Sequence, residues 1–228
     1  MTTETLAPDV AAAPDELLWR GNFYAEGLYA QTNAPQGVMR NRLGTRLCAL
    51  TDDFLLGMNR AITDECGPAA TAVFKRCGRR WGELLARRFE QEMTQFYGQP
   101  LHDFSMATFL ACLVELFSHH GWGRLHLDLE HYEQGLLIAE LHGAIMADLL
   151  QQTEQPADAL FAGIFAGFFA QLTGEPLECV QTACTACGAA SSQFIIGLAS
   201  RLTAVEGWQA AGKSHAEIVA ALAEVRAA

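Results

Sequence analysis

The stretch LECVQTACTACGAASSQFIIG, residues 177–197, reads two ways, and the choice between them decides the architecture. It holds three of the chain's seven cysteines, Cys179, Cys184 and Cys187. As a metal or redox motif it is incomplete. A structural zinc site needs four ligands, usually two Cys pairs or a Cys pair with two His, and no second pair exists here. A thioredoxin-like Cys-x-x-Cys needs a helix after it to lower the thiolate pKa, whereas residues 188–196, GAASSQFII, read as a turn and a strand. As a hairpin the stretch is complete. LECVQTAC (177–184) and SQFIIG (192–197) are two strands joined around Gly188, with the cysteines as small core residues.

Working outward, ALFAGIFAGFFAQLTG (159–174) is a helix capped by Asp158. Gly163 and Gly167 share one of its faces, and Ala162, Ala166 and Ala170 a neighbouring one. Small residues let another backbone approach closely, either a sheet or a second subunit, so Gly163 and Gly167 are the candidate oligomer interface. In RLHLDLEH (124–131), Leu125, Leu127 and Leu129 alternate with His126, Asp128 and Glu130, the pattern of a strand with one wet face. A turn at Glu133–Gly135 joins it to LLIAELH (136–142) as a second hairpin.

Upstream, residues 104–117, FSMATFLACLVELF, are apolar all round and predict a central helix capped by Asp103. A longer helix before it carries the stripe Phe74, Cys77, Trp81, Leu85, Phe89, Met93 and Phe96, ended by Gly98 and Pro100. TDDFLLGMNRAI (51–62) is a helix stopped at Gly67-Pro68, and TRLCAL (45–50) a short strand. SHAEIVAALAEVRAA (214–228) is a terminal amphipathic helix. Residues 1–43 divide into a mobile arm, 1–18, and an irregular extension. Residues 44–228 form one domain of the α+β class, helices packed on an antiparallel sheet.

Composition bounds the function. Of 228 residues half are hydrophobic, so the chain can bury a full core. A net charge of −11 opposes a nucleic-acid surface. The start of the chain lacks the basic residues and apolar run of a signal peptide. The longest near-apolar run, 159–170, falls short of the ~20 residues of a membrane span. The odd cysteine count fits reduced thiols, and the expected location is the cytoplasm.

Candidate chemistry is sparse. His119 and His120 follow a helix end, where an imidazolium is favoured. His126, Asp128, Glu140 and His142 could meet on the wet face of the first hairpin, as on any solvated sheet face. The basic run Lys75, Arg76, Arg79, Arg80, Arg87 and Arg88 is interleaved with Glu83, Glu90 and Glu92. The spacings Glu83–Arg87 and Arg88–Glu92 predict a salt-bridged helix face. Glu115 is the one charge in its apolar helix. No phosphate loop, nucleophile elbow or catalytic carboxylate pair occurs, so catalytic residues, cofactors and metals are all expected to be none.

With these pieces in order, Gly44 to Leu198 resembles the 4-vinyl-reductase-like domain, a relative of the TRAPP vesicle-tethering proteins. The resemblance rests on GRRWGELLARRF (78–89), HHGWGRLHLDLEHYEQGLL (119–137), ALFAGIFAGFFAQLTGEPLECV (159–180) and CTACGAASSQF (184–194). It implies a mostly non-enzymatic, usually dimeric domain that binds small apolar or aromatic molecules between helices and sheet. The expected ligand pocket is walled by Trp81, Phe109, Leu113, Trp122, Phe165 and Phe168. In members of the family that hold zinc, this hairpin follows a Glu-x-x-Cys, an Ala-x-Gly and a second Cys before an aromatic. The matching positions here are Gln181, Cys184, Ala186, Gly188, Ser192 and Phe194, so one ligand remains and a hairpin without the metal is expected.

The chain is also similar to the D component of bacterial cellulose synthase, a non-catalytic oligomeric scaffold. That likeness rests on DDFLLGMNRAI (52–62), GRRWGELLARRF and GWGRLHLDLEHYEQGLLIAELH (121–142). The expected partners are thus further copies of the chain, a small apolar ligand, or a cellulose synthase complex.

Overall fold

The computed structural model describes residues 20–25 and 29–224. The arm expected at 1–18 and the last four residues of the terminal helix lie outside them. Strands β1 (Ala30–Asn33), β2 (Val38–Asn41) and β3 (Arg46–Leu47) form a small antiparallel sheet. The extension expected to be irregular is therefore partly a meander, without the alternation that would have announced it. Helices α1 (Asp52–Cys66) and α2 (Ala70–Tyr97) follow, separated by a turn at Gly67–Ala69, and then α3 (Met106–His119). The α3 cap is Ser105 rather than Asp103: its Oγ accepts the Thr108 N–H at 3.1 Å.

Strands β4 (Arg124–Asp128), β5 (Leu136–His142), β6 (Leu177–Ala183) and β7 (Ser192–Leu198) build a second antiparallel sheet in the order β4-β5-β7-β6. Both expected hairpins are present, turning through Gly135 (φ 72°) and Gly188 (φ 94°). Between them run α4 (Ile145–Leu150), in a stretch expected to be loop, and α5 (Ala159–Thr173). Short α6 (Ala199–Leu202) and α7 (Val205–Ala210) lead to α8 (His215–Glu224).

Register explains how the sheet is covered. Leu127, Ala139, Phe194 and Gln181 are paired in one row across it. The three apolar members belong to the main core with α2, α3 and α5. The adjacent row includes Ile138 and Ile195, which pack with Leu202, Val205, Ile218 and Leu222 from the C-terminal helices. Burial on both faces is why residues 194–196 read as unbroken Phe-Ile-Ile rather than as an alternation.

The layer beneath the sheet is fixed by backbone contact between α2 and α5. A Cβ added to Gly163 would lie 2.1 Å from the Lys75 carbonyl oxygen, and one on Gly167 2.0 Å from that of Arg79. Reciprocally, Gly78 and Gly82 would meet the Leu160 and Ile164 carbonyl oxygens at 2.0 and 2.2 Å. The small-residue face of α5 is thus used within the chain. Gly163 and Gly167 are buried against α2 and offer no surface to a second copy, which corrects the expected oligomer interface.

Candidate functional site

Helix α5 runs across the sheet, and its two ends meet different surroundings. At its C-terminal end Phe169 and Leu172 stand opposite Leu127, Leu137, Leu177 and Ile196 of the strands. Phe104, Phe109 and Leu110, at the start of α3, close the side. Between them lies a cavity of about 840 Å³, open to solvent at one mouth. The size falls within the range of small-molecule sites, about 300–1,000 Å³. Its depth is leucine, isoleucine and phenylalanine. Polar groups, among them His102, Glu133, Gln134 and Glu175, sit at the rim, and no Lys or Arg lines it.

Of the six expected pocket residues, the cavity takes Phe109. Leu113, Phe165 and Phe168 are fully buried and pack in the core; Phe165 stacks on Phe117 with centroids 5.5 Å apart. Trp81 is 38% exposed and meets Trp122 edge-on at 5.0 Å. The structure therefore brings together Trp81 with Trp122, and Leu113, Phe165 and Phe168 with the core, but not all six around one space. Missed were Leu127, Leu137 and Leu172. The leucine alternation of β4 was visible, but its position over the receding end of α5 depends on long-range packing.

At the N-terminal end of α5, Asp158 occupies the cap position without making a side-chain cap bond. Its carboxylate turns instead to the β6–β7 hairpin. Asp158 Oδ2 accepts from Ser192 Oγ at 2.6 Å and Gln181 Nε2 at 2.9 Å, with Cys184 Sγ further off at 3.7 Å. Gln181 Oε1 in turn accepts the Asp158 backbone N–H at 3.1 Å. Asp158 and Ser192 are 0% exposed. Burial raises the Asp158 pKa, opposed by the hydrogen bonds from Ser192 and Gln181. Beside this cluster a second cleft, of about 440 Å³, is lined by Asp148, Gln151, Gln152 and Thr185.

The zinc ion that the 4-vinyl-reductase resemblance associates with this hairpin does not suit these residues. Only Asp158 and Cys184 are ordinary zinc ligands, the amide of Gln181 turns N–H groups inward, and the Ser192 hydroxyl is a donor. Among the described residues, no group of three or more His, Cys, Asp or Glu could hold a metal ion. Cys179 is fully buried, and burial pushes its thiol pKa up; Cys187 is exposed.

The other candidates are structural. Glu115 lies 3.9 Å from His119, one turn on. Burial pushes His120 down to about 4, opposed by a 2.7 Å contact of its Nδ1 with the Leu116 carbonyl. Glu140 faces His142 at 3.4 Å and accepts from Ser191. The basic face pairs differently from the expected spacings: Arg80 meets Glu83 at 2.9 Å, and Arg79 and Lys75 reach Glu178 on β6. Glu92 is buried and accepts from Tyr24, Asn41 and Thr45, pinning the N-terminal meander to α2.

A family model for the 4-vinyl-reductase domain matches residues 137–198, from β5 through β7. No curated protein sequence matches the chain. Among solved structures, the phenol-responsive sensory domain of the transcription activator PoxR, crystallised with phenol, is similar with a TM-score of 0.63. The match covers 81% of this chain and 92% of that one at 16% identity. A trafficking protein particle complex subunit 3 from Naegleria fowleri, covalently bound to palmitic acid, gives 0.48 at 13% identity, covering 64% of this chain and 94% of that one. A vinyl-4-reductase family protein from Methanocaldococcus jannaschii gives 0.46 at 13%, covering 66% and 82%. The PoxR match shows a shared α+β fold. The likeness to the cellulose synthase component has no counterpart among these matches.

Proposed function

We propose that this chain is a 4-vinyl-reductase-like ligand-binding domain that takes an uncharged apolar or aromatic molecule into the cavity at the C-terminal end of α5. The observation that carries the reading is the cavity itself: about 840 Å³ of space walled by leucine, isoleucine and phenylalanine, with polar side chains at the mouth. An apolar molecule entering it would bury its surface at roughly 25 cal/mol per Å². A carboxylate-bearing one would meet Glu133 and Glu175 with no lysine or arginine on the lining to pair with. The fold shared with a phenol-responsive sensory domain supports the reading, because that protein uses the same architecture for small-molecule recognition.

The domain acts by binding rather than by catalysis. Proton transfer needs acids and bases held within hydrogen-bond reach of the reacting group, and the depth of this cavity offers hydrocarbon. Assembly with further copies of the chain belongs to the same reading, through surfaces other than Gly163 and Gly167.

Fluorescence titration with the neutral probe N-phenyl-1-naphthylamine tests the proposal. Saturable binding near one probe per chain, displaced by phenols and lost in Leu110→Trp, is the expected result. Binding unchanged in that variant, or none at all in wild-type protein, would contradict it.

A further inference from the structure

Four side chains from three separate places in the sequence converge at the closed end of α5. Asp158 comes from the start of the helix, Gln181 from β6, Cys184 from the turn after it, and Ser192 from the first position of β7. Three of these, Gln181, Cys184 and Ser192, stand at the positions where zinc-holding members of the resembled family carry ligands. The fourth, Asp158, comes from outside the hairpin and is the centre on which the others converge.

We propose that Asp158 replaces a metal ion as the centre of this hairpin, making a clamp that is closed by hydrogen bonds and independent of zinc. One buried oxygen, Oδ2, accepts from Ser192 at 2.6 Å and from Gln181 at 2.9 Å, and faces the Cys184 thiol at 3.7 Å. Gln181 is held from both sides, since its Oε1 takes the Asp158 N–H and its Nε2 also reaches the Ala183 carbonyl at 3.1 Å. The Cys184 sulfur in turn accepts the Ala157 N–H at 3.4 Å. Each contact ties α5 or the residue before it to the hairpin, which is the mechanical task a structural ion would perform. The inward-facing donors suit a carboxylate and would repel a cation. Hydrogen bonds to a charged acceptor are about twice as strong as neutral ones, which gives Asp158 the leverage.

Zinc content and melting temperature, read together on the full chain, test this. Wild-type protein is expected to carry no stoichiometric zinc and to melt at the same temperature with added zinc or with a chelator. Asp158→Ala is expected to lower the melting temperature by several degrees, and Asp158→Asn, which keeps an acceptor, by much less. Gln181→Glu combined with Ser192→Cys supplies two carboxylates and two thiols around the same point. It is expected to take up about one zinc per chain and to become chelator-sensitive. About one zinc in wild-type protein with a melting temperature that falls on chelation would overturn the proposal. So would an Asp158→Ala protein as stable as wild type, or a folded double variant that takes up no zinc. If the double variant does not fold, the wild-type and Asp158 measurements decide the matter alone.

Discussion

At its N-terminus α5 meets the sheet through a carboxylate with no solvent exposure, gripped by side chains of both strands of the β6–β7 hairpin. At its C-terminus Phe169 and Leu172 stand away from the same sheet and leave about 840 Å³ between them and Leu127, Leu137 and Ile196. One helix is thus locked at one end and held open at the other. The difference shows how a domain can keep an apolar space from collapsing: directional hydrogen bonds and backbone contact fix the helix where ligand is excluded. Hydrocarbon, which imposes no direction, lines the end where a ligand is to be admitted.

The largest effect is expected where the two ends share a support, at the glycine contact between α2 and α5. Gly167→Ala would set a Cβ 2.0 Å from the Arg79 carbonyl oxygen, a backbone atom that no rotamer change can move. Urea unfolding should show a loss of about 3 kcal/mol or more, at the upper end of overpacking. A variant as stable as wild type would break the comparison at its root, since α5 would then not be held against α2.

Acid should act next, and on the locked side. His120 closes α3 just before β4, and burial holds it down at about 4, against about 6.5 for an unfolded chain. The folded state then binds fewer protons than the unfolded one between those values, so stability rises with pH through the window. It is fully present above about pH 6.5 and falls away toward pH 4, by up to about 3 kcal/mol. Unfolding measured from pH 7 to 4 should show this slope, and His120→Gln should flatten it. An unchanged slope would place the acid sensitivity elsewhere.

Truncations should separate the two ends directly. Ser192→Ala removes the 2.6 Å donor from a buried carboxylate and should cost about 2 kcal/mol. Leu172→Ala, at a half-buried position facing the cavity, should cost about 1 kcal/mol. Equal costs would mean that the ends do not differ in rigidity. Smallest of all is cavity filling: Leu110→Trp extends into open space and should change stability by less than about 1 kcal/mol, measured by thermal unfolding without ligand.

Much of this fold was legible because its signals are local. Leu125, Leu127 and Leu129 announced a strand, the Phe-Ile-Ile of β7 another, and Gly135 and Gly188 the turns between strands. The glycines of α5 announced a close approach but not its partner, because Gly78 and Gly82 on α2 lie roughly eighty residues away in sequence. Asp158 read as a helix cap since it stands where caps stand, and only the folded hairpin shows that Ser192 and Gln181 draw its carboxylate off. The cavity was the least legible. Aromatic spacing in α5 marks both core and pocket, and which of Phe165, Phe168 and Phe169 faces space depends on how far the helix end stands from the sheet.

Hydrogen exchange with and without a saturating neutral aromatic ligand tests the central claim most directly. The account predicts slowed exchange at the open end, over residues 101–110, 129–137 and 169–177, with 147–152 and 185–188 unchanged. Protection confined to those last two segments would place the ligand in the polar cleft by Asp148 and Thr185 instead. That result, or no protection anywhere at saturation, would contradict a binding site at the C-terminal end of α5.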